Sequence, residues 1–545
     1  MSENVQASTE NAMLTAGNSA YAAVGTRRPR ALKNAIFSYG GPNSEIVYDL
    51  KELRAACRDL YYNNADAAAV VDTYVDFVIG RGQRAQSVPN RSVLIPKLTS
   101  MGYTPEQAET LIADFSAKAR EDFDAWAQSK TSTTSQTMNF YNATRLALRT
   151  ELHSGECFVI LNRETQPDGS VELSVGLIEP DRVTDYRPPT EKNVMGLLLD
   201  EMGRPRSIKV RRSGDNVLDR RLDTVDFISP ESGRQRVLHL FEAIRPGQVR
   251  GVPIYAKNIQ TFTQLGRLKR NELHAGELNS YFAAVVTSDD PEFLNSLTDE
   301  QRKEYQRQKM DSSNKDLNLE SGTILRLFDK EKLEPVDPKR PNVQYGQFAR
   351  DLRSENAFSN GIPYEIYTRQ FGSSYSASRA AMNMFKKPVG AKADRYETDL
   401  NGPVFREWLF CRAASGKYNL PGFFSDPEMQ QAWSKVTYTR EPLGQIDDVR
   451  DAQGADMRIK TGLSSIEQES LEITGNDYQS TMEALSREKA LREKLGVKLS
   501  MDSDAALTAQ VEAETEATQS GGDPPQNQQD GGNQNATSPD FTRTG

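Results

Sequence analysis

Gly372-Ser373-Ser374, set between an apolar approach and a new helical stretch in GIPYEIYTRQFGSSYSASRAAMNMF (residues 361–385), come nearest to a chemical device. Serines beside a glycine, ahead of a helix, can raise a nucleophile on a tight turn or hold a phosphate at the helix N-terminus. The neighbouring residues complete neither. A nucleophile elbow needs G-x-S-x-G after a buried strand and a phosphate loop needs G-x-x-x-x-G-K-[ST], whereas Gly372-Ser373-Ser374-Tyr375-Ser376 has neither the second glycine nor the lysine. His153 and Cys157 stand four apart and on a helix would share one face. The chain has only three histidines and no C-x-x-C, so a metal would find too few soft ligands there, and packing and capping are the expectation. No acidic cluster shows metal-ligand spacing. No catalytic residue, metal or cofactor is therefore expected.

The formal net charge is −9. Tight nucleic-acid binding is driven by phosphate neutralisation and counterion release, so this balance excludes a strong grip and leaves room for weak, transient contact. No run reaches the roughly 18 apolar residues of a membrane span, and the first twenty residues lack a basic start and an apolar signal core. A soluble, unsecreted chain is expected. Cys57, Cys157 and Cys411 lie far apart and read as buried thiols of a reducing compartment.

The elements that would position these residues follow from apolar periodicity. The first forty or so residues, with Arg27-Arg28-Pro29-Arg30, read as a flexible arm, with order from about Glu45. Helices are expected over Asp49–Ile79, broken at Asn63-Asn64 and stopped at Gly80-Arg81-Gly82, then over Thr104–Ala127 and Phe140–Leu152. From Glu156 the runs CFVILNR, VELSVGLIEP, MGLLLDEMGRPRSIKVRR and RVLHLF predict a mostly antiparallel sheet. A long helix is expected from Pro253 to Val286, a short one around Asp299–Met310, a strand at GTILRLF, and another helix over Val343–Ser359. A kinked helix runs past Pro388 toward Trp408, helices follow Gln445, and the polar tail beyond Asp504 has too little apolar surface to offset ordering entropy.

This order of segments resembles the lambda-type portal proteins of tailed bacteriophages. The likeness is carried by RDLYYNNADAAAVVDTYVDFVIGRG, NFYNATRLALRTELHSGECFV, LIEPDRV, DEMGRP, VLHLFEAIRPGQVRGVP, LESGTI, the run PNVQYGQFARDLRSENAFSNGIPYEIYTRQFGSSYSASRAAM, and GLSS, from about Arg58 to Gly462. It implies an α+β portal fold: a flexible arm (1–44), a wing (45–252 and 377–443), stem helices (253–286 and 341–367), a small α/β clip (287–340), a tunnel loop (368–376), a helical crown (444–503) and a disordered tail (504–545). It also implies a ring of about twelve copies at one capsid vertex of the virion, through which double-stranded DNA passes. The implied partners are the large terminase subunit, the major capsid protein or scaffold, and head-tail connector and completion proteins. Arg369, Gln370, Phe371, Ser373 and Ser374 would face the channel, Gly372 with the two serines allowing the turn, and Arg267, Lys269 and Arg270 are candidate channel-facing cations of the stem. The competing classes are a packaging enzyme, for which no Walker A motif is present, and a capsid or scaffold component.

Overall fold

The computed structural model describes residues 40–212, 220–281, 285–288, 297–313, 331–334, 344–372, 374–441, 448–474 and 478–495. Helices α1 (Pro42–Asn63) and α2 (Ala65–Val78) come first. Asn64 separates them, its side-chain oxygen accepting from the N–H groups of Asp66 (3.0 Å) and Ala67 (3.2 Å), and so caps α2. Gly80 and Gly82, both at positive φ, stop α2 where expected. After β1 (Arg84–Ser87) and α3 (Arg91–Ser100), α4 (Pro105–Gln128) starts on a reciprocal cap: Gln107 N–H donates to Thr104 Oγ1 at 3.2 Å, and Thr104 N–H to Gln107 Oε1 at 3.0 Å. Helix α5 (Phe140–Ser154) ends at Gly155, φ 90°.

Two antiparallel sheets replace the single sheet expected. Strands β2 (Glu156–Thr165), β3 (Val171–Ile178) and β8 (Val237–Phe241) form one, with β2 central. Between β3 and β8 the chain makes its own meander of β4 (Asn193–Val194), β5 (Leu197–Leu199), β6 (Pro205–Arg211) and β7 (Leu222–Asp226). Short connections let these four pair in sequence, leaving β8 to return to β2. A small core of Leu50, Phe158, Leu197, Ile208 and Val237 fills the space between the sheets and α1. The larger core joins α2, α4 and α5 to the first sheet and the later helices, and Phe123 packs against Trp126, Phe140, Phe405 and Trp408 with ring centroids 5.2–6.3 Å apart.

The expected 253–286 helix is shorter. A single 3₁₀ turn (Ile254–Lys257) precedes α6 (Ile259–Tyr281), and Val285 and Val286 belong to β9 (Val285–Ser288), which pairs with β10 (Glu331–Glu334). Helix α7 (Asp299–Ser313) matches its expectation, whereas GTILRLF and most of 287–340 lie outside the described residues. The second expected stem helix is two: α8 (Tyr345–Ser359) and α9 (Tyr364–Thr368), parted at Asn360-Gly361. Helix α10 (Tyr375–Tyr396) runs through Pro388, and its departure from α geometry falls later, at a π turn over Glu397–Asn401 before α11 (Gly402–Ala414). Following α12 (Pro427–Trp433), β11 (Val436–Thr439) pairs with β1, a closure no local pattern announced. Helices α13 (Asp448–Lys460), α14 (Ile466–Thr474) and α15 (Tyr478–Leu495) complete the described chain; of the expected arm (1–44), residues 1–39 lie outside it while α1 already begins at Pro42, and residues 496–503 and the expected tail (504–545) also lie outside it.

Candidate functional site

Two consecutive helix ends frame the loop singled out in the sequence, and both have the same hydrogen-bond pattern. At the end of α8, Gly361 N–H donates to Phe358 O and Ile362 N–H to Ala357 O, each at 3.0 Å, with Gly361 at φ 71°. At the end of α9, Arg369 N–H donates to Ile366 O at 3.3 Å and Gln370 N–H to Glu365 O at 3.2 Å, with Arg369 at φ 55°. Each is a Schellman cap, whose left-handed position normally carries glycine because a Cβ is strained there. The first cap obeys that rule and the second places arginine in it.

This corrects the sequence reading of the turn. Gly372 is not in the left-handed region, and a Cβ on it would meet nothing within 4 Å, so the reversal rests on Arg369. The Arg369 side chain is 74% exposed, and its nearest carboxylate, Asp76, is 4.0 Å away and already paired with Arg145 at 2.8 Å. Gln370 and Phe371 are exposed beside it. Ser374 caps α10, accepting from Ala377 N–H at 3.4 Å, and Ser373 lies outside the described residues.

The three candidate stem cations separate. Arg267 and Arg270 are exposed on α6, whereas Lys269 is ion-paired with Asp66, which also accepts from Arg353 Nε of α8 at 3.1 Å. Lys269 therefore leaves the set of residues free to meet a ligand. Asp66 was missed in the sequence because its partners lie some two hundred residues or more away. Its side chain is 13% exposed, and its backbone carbonyl accepts from Tyr367 Oη at 2.8 Å, which joins α2 to α6, α8 and α9 at one point.

His153 and Cys157 do not share a helix face. Gly155 ends α5 between them, leaving His153 on the helix and Cys157 in β2. Gly155 is required there: a Cβ would stand 2.7 Å from backbone atoms of Gly251 and Val252. Burial, then Arg58 and Arg149, pushes the His153 imidazole down to about 4. The unfolded chain takes up that proton near pH ~6.5, so the stability tied to a neutral His153 is full above that value. It is lost as pH falls toward 4, by about 3 kcal/mol across the window. His153→Phe keeps a ring to stack on Tyr61 and should lessen the fall in urea midpoint between neutral pH and the acid end of the window. Equal pH slopes in the two proteins would sink this assignment.

The residue between the expected pair carries the electrostatics. Glu156 is wholly buried; Oε1 accepts from Arg54 at 2.5 Å and from Arg250 Nε at 2.8 Å, while Oε2 meets His239 Nε2 and Gly251 N–H, both at 2.9 Å. Burial acts to raise the Glu156 carboxyl, but Arg250 and then Arg54 outweigh it and hold the group well below the usual carboxylate range. Arg250 also donates to Met195 O at 2.7 Å, so the cluster ties α1 and both sheets together. Among the described residues no group of His, Cys, Asp and Glu could hold a metal ion.

The family profile described as phage portal protein, lambda family, matches residues 28–391. Portal protein B of Escherichia phage lambda is 21% identical over 487 residues, covering 86% of this chain and 88% of that one. The portal protein of Escherichia phage N15 is 23% identical over 488 residues, covering 86% and 89%. Among solved structures, a chain from the neck of an empty gene transfer agent particle aligns over 78% of this chain and 93% of its own, at 11% identity and a TM-score of 0.43.

Proposed function

The chain belongs to the lambda family of phage portal proteins, and from that premise we propose that it closes into a ring of about twelve copies at one capsid vertex. The ring is the channel for double-stranded DNA during packaging and ejection, and the platform on which the large terminase subunit, the capsid or scaffold protein and head-tail joining proteins dock. The 253–286 and 341–367 segments, with α6, α8 and α9, act as the stem, 287–340 as the clip, 368–376 as the tunnel loop, 444–503, with α13 to α15, as the crown, and 45–252 with 377–443 as the wing. Motor chemistry belongs to the terminase.

The observation that carries this reading is Arg369 in a glycine's conformation. A left-handed non-glycine residue costs about 1–2 kcal/mol, and such strain persists where the side chain has a use. Here the guanidinium is exposed at the tip of a reversal between two helices, with only a distant, already paired carboxylate near it. Repeated around a ring, Arg369 with Gln370 and Phe371 would touch the duplex at many weak points, and Arg267 and Arg270 would add to them along the stem. A chain of net charge −9 avoids the counterion-release grip that would stop DNA from sliding.

Negative-stain microscopy of the purified protein should show rings with a central hole; monomers or open filaments alone would overturn the proposal. Within such rings, Arg369→Ala should leave assembly nearly unchanged while altering packaged DNA length or retention. Arg369→Gly should do the same with the fold stabilised by about 1 kcal/mol, since the strain is relieved. Normal packaging beside defective assembly would sink the channel role of Arg369.

A further inference from the structure

Glu164 and Glu172 stand directly opposite each other where β2 and β3 run out toward their connecting turn. Like charges at facing positions of an antiparallel pair repel across about 5 Å, and neither carboxylate is in an ion pair or side-chain hydrogen bond among the described residues. The turn beyond them is closed by its own backbone, Gln166 N–H donating to Ser170 O at 2.8 Å, and Thr165 and residues 167–169 are exposed. Within one copy the hairpin therefore ends in solvent.

Side chains alternate along a strand, which sets this pair on the face away from Arg163 and Leu173. Arg163 meets Glu407 of α11 at 2.6 Å and Leu173 belongs to the larger core, so α11 covers that other face. On the glutamates' own face, Asn162 Nδ2 donates to Thr134 Oγ1 at 2.8 Å, and Thr134 Oγ1 lies 3.3 Å from Ser174 Oγ. These polar groups satisfy one another and bring no cation.

The complementary charge begins on α11. A groove of about 750 Å³ is lined by the π turn, the start of α11, α12 and β11. Its two carboxylates are already engaged, Glu397 by Arg440 at 2.6 Å and Glu428 by Lys97 at 2.5 Å. Its two cations, Arg406 and Lys435, are exposed and in no ion pair among the described residues. The groove thus lacks two negative charges and the hairpin two positive ones. Because α11 and the two glutamates lie on opposite faces of the first sheet, one copy does not close this contact on itself. We propose that the groove receives the hairpin of a second copy, Glu164 and Glu172 of one meeting Arg406 and Lys435 of the next. Contacts between two different patches repeat head to tail and close a ring where the rotation allows, so this inference rests on the ring proposed above and supplies one of its contacts.

Charge reversal in the full chain, followed by sedimentation velocity and negative-stain microscopy, tests it. Glu164→Lys with Glu172→Lys, and separately Arg406→Glu with Lys435→Glu, should each set like charges against one another and raise the concentration for half-assembly at least about tenfold. An equimolar mixture of the two variants should restore rings, since every hairpin then finds a groove of opposite sign on an alternating neighbour. The chain carrying all four substitutions should assemble as well. Assembly lost in both variants, and restored neither by mixing nor by the fourfold change, overturns the proposal, because damage to the fold alone gives that pattern. Rings that form equally well in the wild type and in both variants overturn this contact and leave the ring standing. Wild-type protein that stays monomeric overturns the ring itself, and this contact with it.

Discussion

Glu156→Gln should destabilise the fold by about 3–5 kcal/mol, the cost of leaving buried charge without its counterion. The substitution changes shape hardly at all, so packing loss does not explain such a fall. What it removes is the negative charge that compensates Arg54 and Arg250, both fully buried, and half of the acceptor capacity that serves His239 and the Gly251 N–H. Replacing the whole cluster by apolar groups of similar volume, Arg54→Met, Glu156→Leu and Arg250→Met, should recover much of the loss, because a buried ion pair stabilises little over a packed apolar isostere. Denaturant midpoints of the single and triple variants separate the two causes. A glutamine variant within about 1 kcal/mol of the wild type would show that the arginines find other compensation.

Gly251→Ala should be nearly as damaging, by about 3 kcal/mol, at the upper end of overpacking. The added Cβ would stand 1.9 Å from Gly155 O and 2.6 Å from Gly155 C. Both are backbone atoms at the junction of α5 and β2, so neither can swing aside as a side-chain tip would. Moving them would also shift Glu156, one residue on, out of its cluster. Gly372→Ala is the matched control: with nothing within 4 Å of the new Cβ, it should change stability by less than about 0.5 kcal/mol. Equal midpoints for the two alanine variants would show that the 155–251 approach is looser than its geometry.

The two glycines fall in blocks that carried the family resemblance, HSGEC and VRGVP, and their contact gives those blocks a physical meaning that the letters alone do not show. What could be read directly was local. The Asn63-Asn64 break, the Thr104 start and the Gly80 stop each follow from capping and period, and each stands in the fold. What could not be read depends on distant partners. The division into two sheets turns on β8 returning to β2 past a self-paired meander, and the β1 and β11 pairing sets Arg84 opposite Thr439, far along the chain. Asp66 and Glu156 look like ordinary surface acids until Lys269 and Arg353, or Arg54 and Arg250, are brought to them. At the loop, Gly372 is the residue the sequence points to, because glycine is the usual left-handed residue, whereas the strained position lies three residues earlier, at Arg369.

The three cysteines are all buried and unpaired, and burial raises their thiols, Cys57 to about 12 and Cys411 to about 11. Thiolate is the reactive form, so the native chain is close to silent toward maleimides and disulfide reagents at neutral pH. Any cysteine placed on the surface becomes the sole handle for a dye, a spin label or a crosslinker, with no need to strip the natural ones first. A label at position 369, or a pair of cysteines at a suspected subunit contact, would then report on one site per copy against a clean background.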